Sequence, residues 1–290
     1  MPKIRENKMI IKSKWEGSME TEAPDTLPRE LMTIPLYRYK KLTTIHVRLK
    51  PEAAEIPGIL GKVIQPISRR GVTIMGIYTS TIPEQYSYIT IFIDSTKLKD
   101  EDLNSLICEM EIGGREFNAE IKLYTSPVEG VAIDPYSFPI TAMGSRAIIL
   151  MQHSLEGLIK GLTRIGAEII LNMVGREIGK TGFEAHERIA GRNLEKLLKL
   201  SEARFMMSGF GIMKVEEIDI EACEFTVKIE HCIECEILEG MKRPSGSQFI
   251  KGILEGWFTE LTGVDMVAYE EQCISRGDPY CQFKIKPRPI

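Results

Sequence analysis

The chain has 290 residues, 43% of them apolar, with 37 basic against 41 acidic side chains and a net charge of −4. That length accommodates two domains with separate cores, and the near-balanced charge gives no global drive toward nucleic acid or an acidic membrane. No apolar run approaches the roughly 20 residues that span a bilayer, and the start is charged throughout, unlike a signal peptide, so no membrane association and a cytoplasmic location are expected.

Residues 1–41 read as a flexible tail, basic at first (Lys3, Arg5, Lys8, Lys12, Lys14) and then acidic (Glu16, Glu20, Glu22, Asp25). Pro24, Pro28 and Pro35 discourage regular structure there. Such a tail is either a solvated extension or an arm that orders on a macromolecular or nucleoprotein partner. In the second case Lys8, Lys12, Lys14 and Trp15 are the contacts.

Residues 42–127 change pattern. Thr43–Leu49 alternates polar and apolar side chains as a strand does. Pro57-Gly58-Ile59-Leu60 opens a helical pattern through Val63, Ile64 and Ile67 that stops near Gly71. Val72–Thr81 and Tyr86–Asp94 read as strands, Lys99–Ile112 as a helix and Ala119–Thr125 as a last strand. The order βαββαβ predicts a ferredoxin-like α+β unit. Within it, Glu55-Ile56-Pro57-Gly58-Ile59-Leu60 followed by Gly71-Val72-Thr73-Ile74 resembles the opening of an ACT domain. That family binds amino acids or other small effectors, usually at a dimer interface. The resemblance implies an effector site at Pro57, Gly58 and Ile59, where a helix start offers N–H groups to a carboxylate and Gly58 permits close approach. Glu55 and Thr73 depart from the Asp and Asn usual in the family. A purely structural dimerisation module is the alternative.

Residues 128–146, with Gly130, Pro135 and Pro139, read as a linker or surface crossing. From residue 147 to 290 a second domain follows. Leu150, Leu155, Leu158, Ile159 and Leu162 recur at helical spacing, Gly166 interrupts, and helices are predicted over 167–178, 190–202 and 249–261. Strands are predicted at 211–217, 224–230 and 266–269. Gly175-Arg176-Glu177-Ile178-Gly179-Lys180-Thr181 ends like a P-loop, but only three residues separate its glycines and the stretch is helical in pattern, so that reading is excluded. The sequence shows no nucleophilic triad, dinucleotide fingerprint or DNA-reading motif.

Five of the six cysteines (Cys223, Cys232, Cys235, Cys273, Cys281) fall in the last third, which points to a local metal or redox site. Gly277-Asp278-Pro279 is a turn signal between two β-prone runs. Reversal there brings Glu270, Cys273 and Cys281 into one small volume. Cys232 and Cys235 add the CxxC spacing from which one loop supplies two thiolates to zinc. Zinc binding, a redox pair such as Cys273–Cys281 and reduced core thiols all satisfy this pattern.

Gly209-Phe210-Gly211, the run Phe225–Ile229, Gly252-Ile253-Leu254-Glu255-Gly256 and the Glu270/Cys273/Gly277-Asp278/Cys281 array together resemble the 4-vinyl-reductase domain over roughly residues 147–286. The resemblance implies an α/β fold shared with subunits of vesicle-tethering transport particles (TRAPP). It also implies a small-molecule receptor of the kind found in aromatic-responsive activators and archaeal redox-responsive regulators. Zinc-bearing members use three cysteines and a glutamate. Glu270, Cys273 and Cys281 match and Ser247 stands at the first cysteine's position; either Cys232 and Cys235 join Cys273 and Cys281 as four sulfurs, or His231 or Cys232 replaces the lost ligand beside Glu270. The apolar residues Phe205, Met207, Trp257 and Tyr269 suit the wall of a ligand pocket, with ordinary core as the alternative.

The expectation is a dimeric, non-enzymatic regulator that senses a small molecule or redox state, of a composition suited to a thermophilic prokaryote. Its rivals are a dimeric interaction factor that clamps a large complex through the tail, and an accessory of a tetrapyrrole or aromatic reductase.

Overall fold

The computed structural model describes residues 37–50, 52–53, 56–82, 86–115, 118–240 and 246–289. Lys8, Lys12, Lys14 and Trp15 lie outside the described residues. The chain divides into two compact units that meet in sequence at Ala147 and Ile148.

The first unit runs β1 (Leu42–Leu49), α1 (Ile59–Arg69), β2 (Ile74–Ile82), β3 (Tyr86–Asp94), α2 (Asp100–Gly114) and β4 (Glu120–Thr125), the expected βαββαβ order. Its sheet is antiparallel with order β2-β3-β1-β4, the ferredoxin-like arrangement. Alternation along β1 divides the faces. Ile45, Val47 and Leu49 join Ile67 of α1 and Leu106 of α2 in the core, and the intervening Thr44 and His46 belong to the opposite face.

That opposite face is covered by the stretch expected as a linker. The Thr44 hydroxyl donates to the Ile133 carbonyl at 2.6 Å, and the Tyr136 hydroxyl donates to the Leu123 carbonyl at 2.8 Å. Ala132 packs with Leu42 and Phe92, and the Tyr136 ring lies 5.4 Å from that of His46. Residues 128–137 therefore complete this unit, because buried polar groups on the sheet require partners. A short exposed hairpin, β5 (Thr141–Ala142) and β6 (Ser145–Arg146), follows.

At the start of α1, Gly58 has φ 82, a left-handed conformation open to glycine at no cost. A Cβ at this position would meet nothing within 4 Å, so among the described residues the glycine serves the turn. Pro57 and Gly58 are exposed, and Ile59 packs on the core while its N–H donates to the Ile56 carbonyl at 3.2 Å.

The second unit contains α3 (Gln152–Arg164), α4 (Glu168–Ala190), α5 (Leu194–Met207), β7 (Ile212–Asp219), β8 (Glu224–Glu230), α6 (Ile233–Ile237), α7 (Gln248–Thr262), β9 (Met266–Gln272) and β10 (Cys281–Pro287). The sheet is antiparallel in the order β7-β8-β10-β9. Two helix limits differ from expectation: α4 continues well past Ile178, and α5 starts only at Leu194. The second half of α4 buries Gly179, Gly182, Phe183 and His186, a face almost without the aliphatic side chains that mark a helix in sequence. Asn193 sets the start of α5, its side chain accepting the Lys196 N–H at 2.9 Å.

Helix α7 is the buried helix of this unit, with Phe249, Ile250, Leu254, Trp257 and Phe258 all in the core. It meets α4 backbone to backbone. A Cβ at Gly175 would collide with the Phe249 carbonyl and one at Gly179 with the Ile253 carbonyl. Reciprocally, Gly252 and Gly256 face the Asn172 and Arg176 carbonyls. The glycines that mimic a P-loop thus form a helix-packing surface. Polar ties reinforce it: Glu255, 4% exposed, accepts from Arg176 Nη1 at 3.0 Å, Asn172 Nδ2 at 3.1 Å and the Ala268 N–H of β9 at 3.1 Å. Arg176 also pairs with Asp265. Among the described residues no helix is long and apolar enough to cross a membrane.

Candidate metal centre and apolar cavity

Strands β9 and β10 form the expected closing hairpin, paired from Gln272 opposite Gln282 to Met266 opposite Pro287. Gly277, at φ 98, supports the turn, and Asp278 Oδ2 accepts the Cys273 N–H at 2.7 Å. This sets Cys273 and Cys281 on the same side as Glu270. Cys235 arrives from α6, and one donor atom each from Cys235, Glu270, Cys273 and Cys281 lie within 4.8 Å of one another. Cys235 Sγ is 3.5 Å from Cys273 Sγ and 3.8 Å from Glu270 Oε1.

Those separations fit a tetrahedral ion. Zinc with Zn–S bonds of about 2.3 Å holds two sulfurs about 3.8 Å apart. All six cysteines are free in the structure, and the three cluster sulfurs belong to fully buried residues. The residues present can therefore hold a metal, and the buried donor set of three thiols and a carboxylate suits a structural site. Cys281 is held far below the usual thiol range because Cys232, Cys235 and Cys273 donate toward its sulfur. Cys235 is pushed up by Cys232, Cys273 and Cys281, and by burial. Cys273, which Cys235 favours as thiolate but Cys281 and burial oppose, is pushed up to about 11.

The structure sorts the proposed replacements for the missing ligand. His231 is 75% exposed and faces Glu236. Cys232 is buried beside Cys235 and Cys281 but stands outside the group of four. Cys235 supplies the third sulfur. Ser247 is itself fully buried and donates to Glu270 Oε1 at 2.8 Å, while the Gly246 N–H donates to Oε2 at 2.9 Å. The loop before α7 thus orients the carboxylate.

Two residues of this centre escaped sequence reasoning. Gly246 has no room for a side chain, since a Cβ would run into Cys273 Sγ. Glu234, inside the CxxC, is fully buried and caps α7. Its Oε1 accepts the Gln248 and Phe249 N–H groups at 2.9 and 3.0 Å, and its Oε2 accepts that of Ile250 at 2.9 Å. Burial pushes Glu234 up to about 7, against the opposing pull of those three bonds. The cap fixes α6 on α7 and so places Cys235. A glutamate between two buried cysteines was the available signal.

A separate apolar cavity of about 70 Å³ opens between α4, α5, β7 and α7. Phe205, Phe210 and Met213 form one wall, Ile253, Leu254 and Trp257 another, and the exposed Ile178 and Ser208 mark its mouth. Of the sequence-predicted ligand residues, Phe205 and Trp257 line it. Met207, 84% exposed, and Tyr269, 44% exposed on β9, do not join them. Met207 ends α5 on its outer face, and Tyr269 sits between inward-facing Ala268 and the cluster's Glu270.

An antiparallel sheet under glycine-packed helices, with a buried thiol–carboxylate cluster at the closing hairpin, defines this unit as an α/β fold. Residues 225–287 match the 4-vinyl-reductase domain, the type to which the C-terminal motifs pointed. The protein MJ1460 of Methanocaldococcus jannaschii is 28% identical over 158 residues, covering 54% of this chain and 85% of the relative. Among solved structures, the phenol-responsive sensory domain of the transcription activator PoxR, with phenol, is 19% identical over 49% of this chain and 77% of that one, with a TM-score of 0.45. An ACT domain protein from Streptococcus pneumoniae is 23% identical over 30% of this chain and 90% of its own, with a TM-score of 0.25.

Proposed function

We propose that this chain is a cytoplasmic, non-enzymatic regulator in which the 4-vinyl-reductase-type unit receives a small apolar molecule and a zinc site holds its closing hairpin in place. The observation that carries the reading is the partly open cavity walled by Phe205, Phe210, Trp257 and Met213, separate from the buried sulfur cluster. An apolar chamber with few polar groups is what a small-molecule receptor requires. Ligand entry between α5 and α7 would shift the population of helix arrangements, the general means by which a receptor reports occupancy.

Zinc at Cys235, Glu270, Cys273 and Cys281 would cross-link α6 to the hairpin and contribute directly to folding. The 3.5 Å separation of Cys235 and Cys273 also supports a redox-responsive variant of this reading. In it a peroxide takes two electrons and two protons from the two thiols, leaving a disulfide and two waters, so that the pair would no longer offer thiolates to a metal. A homodimer is supported by the run of exposed apolar residues Ile169, Ile170, Met173 and Val174 on α4.

Native mass spectrometry of the full chain purified from its own host tests the receptor reading. A stoichiometric small molecule released on denaturation is the expected result. A stoichiometric macromolecular partner with an empty cavity would instead favour a clamp.

A further inference from the structure

At the polar end of the cavity two hydrogen-bond donors converge on a point with no acceptor. Trp257 Nε1–H donates to His186 Nδ1 at 3.1 Å. That bond occupies the Nδ1 lone pair, so the neutral ring carries its proton on Nε2. Arg204 Nη1 lies 3.5 Å from this same Nε2. A guanidinium has only donors, and the protonated Nε2 is a donor as well. Two N–H groups therefore face each other.

No carboxylate among the described residues pairs with Arg204, whose one side-chain polar neighbour is the His186 ring. Burial holds the guanidinium below its usual value, and burial together with Arg204 pushes His186 down to about 4. A half-buried guanidinium without a counter-ion is costly in an apolar setting. Both residues line the cavity, whose remaining walls are mainly aromatic and aliphatic, with the Ser201 and Ser208 side chains as the other polar groups.

Resting on the receptor reading above, we infer that the cavity takes a small amphipathic carboxylate, its anionic head accepting from Arg204 and His186 Nε2–H and its apolar body lying against Phe205, Phe210 and Trp257. A carboxylate has the two acceptor oxygens that a guanidinium edge and a neighbouring N–H can share. The head group meets the unsatisfied donors, and the body meets the rings of Phe205, Phe210 and Trp257.

Trp257 reports on the site because its indole is bonded to the same imidazole. The probes are phenylacetate and phenylbutyrate, each paired with its alcohol, phenylethanol or phenylbutanol. They are titrated into the full chain carrying Trp15→Phe, so that Trp257 is the one tryptophan and its emission is read with excitation selective for indole. The acids should bind at least about tenfold more tightly than the alcohols, equivalent to about 1.4 kcal/mol. Arg204→Met should abolish that preference while leaving alcohol binding in place, and Arg204→Lys should retain part of it. Equal affinity of acid and alcohol for the unsubstituted Arg204 protein would overturn the carboxylate assignment and leave the receptor reading standing. Failure of all four probes to perturb Trp257 up to about 10 mM would overturn both. The comparison of acid with alcohol needs no Arg204 variant, so it stands even where a substitution impairs folding.

Discussion

Ser247 Oγ donates to Glu270 Oε1 across 2.8 Å. Ser247, where the sequence resemblance implied a cysteine, thus steers the carboxylate, and Cys235 brings a third sulfur from a different element. The cluster keeps a four-donor set while changing which loop supplies it. Three thiols and an oriented carboxylate follow from that exchange.

Protein from metal-replete growth should carry about one zinc per chain, and Cys235→Ala should lower this to below about a tenth. Ser247→Ala should keep the metal but weaken its binding by roughly 10- to 100-fold, since it removes only the orienting bond. Elemental analysis with competitive chelator titration checks both outcomes. Retention of full zinc in Cys235→Ala would sink the assignment of Cys235.

Gly175→Ala and Gly256→Ala should each destabilise by on the order of 2–3 kcal/mol, because the new methyl meets a backbone carbonyl of the facing helix. Gly157→Ala, in α3 with nothing within 4 Å of its Cβ, should be neutral or stabilising by up to about 1 kcal/mol. Denaturant unfolding compares the three. Equal effects at all three sites would show that helix contact is not what these glycines serve.

Glu255→Ala should cost on the order of 2–3 kcal/mol, since it leaves the Ala268 N–H without its acceptor and takes from Arg176 one of its two carboxylate partners. Glu255→Gln, which keeps an acceptor oxygen, should cost less. Thermal melts at matched pH measure the difference, and a null effect of the alanine variant would refute the proposed tie between α4, α7 and β9.

His186 predicts an acid-sensitive stability. In the fold its pKa is pushed down to about 4, while an unfolded chain takes up the proton near the ordinary value of about 6.5. The unfolded state thus binds more protons between those values, so the contribution is complete above about pH 6.5 and lost as pH falls toward 4. The loss should be on the order of 3 kcal/mol. His186→Gln, which retains an acceptor for Trp257, should flatten that part of the profile. Unfolding free energies of both proteins from pH 7 to 4.5 give the comparison, and parallel profiles would disprove it.

The N-terminal unit was readable in outline because its strands alternate and its helices are bounded by glycine and proline. Its sheet cover was not: residues 128–137 have no periodicity, and only the placement of Thr44, His46 and Tyr136 reveals their purpose. In the second unit the hairpin residues Glu270, Cys273 and Cys281 were legible, since one turn brings near neighbours together. The full extent of α4 was hidden by a buried face made of glycine and histidine.

Local order in the chain determined the two-unit plan, the βαββαβ order, the closing hairpin and the presence of a thiol-rich site. Each depends on residues within a turn or a strand of one another. Tertiary structure alone decided that Cys235 rather than Cys232 completes the cluster, that Glu234 caps a helix and that Arg204 meets His186 at the cavity's polar end. Those relationships join residues far apart in the chain: α6 meets α7 through the Glu234 cap, and α5 meets α4 at Arg204 and His186, contacts that no pattern in a single segment announces.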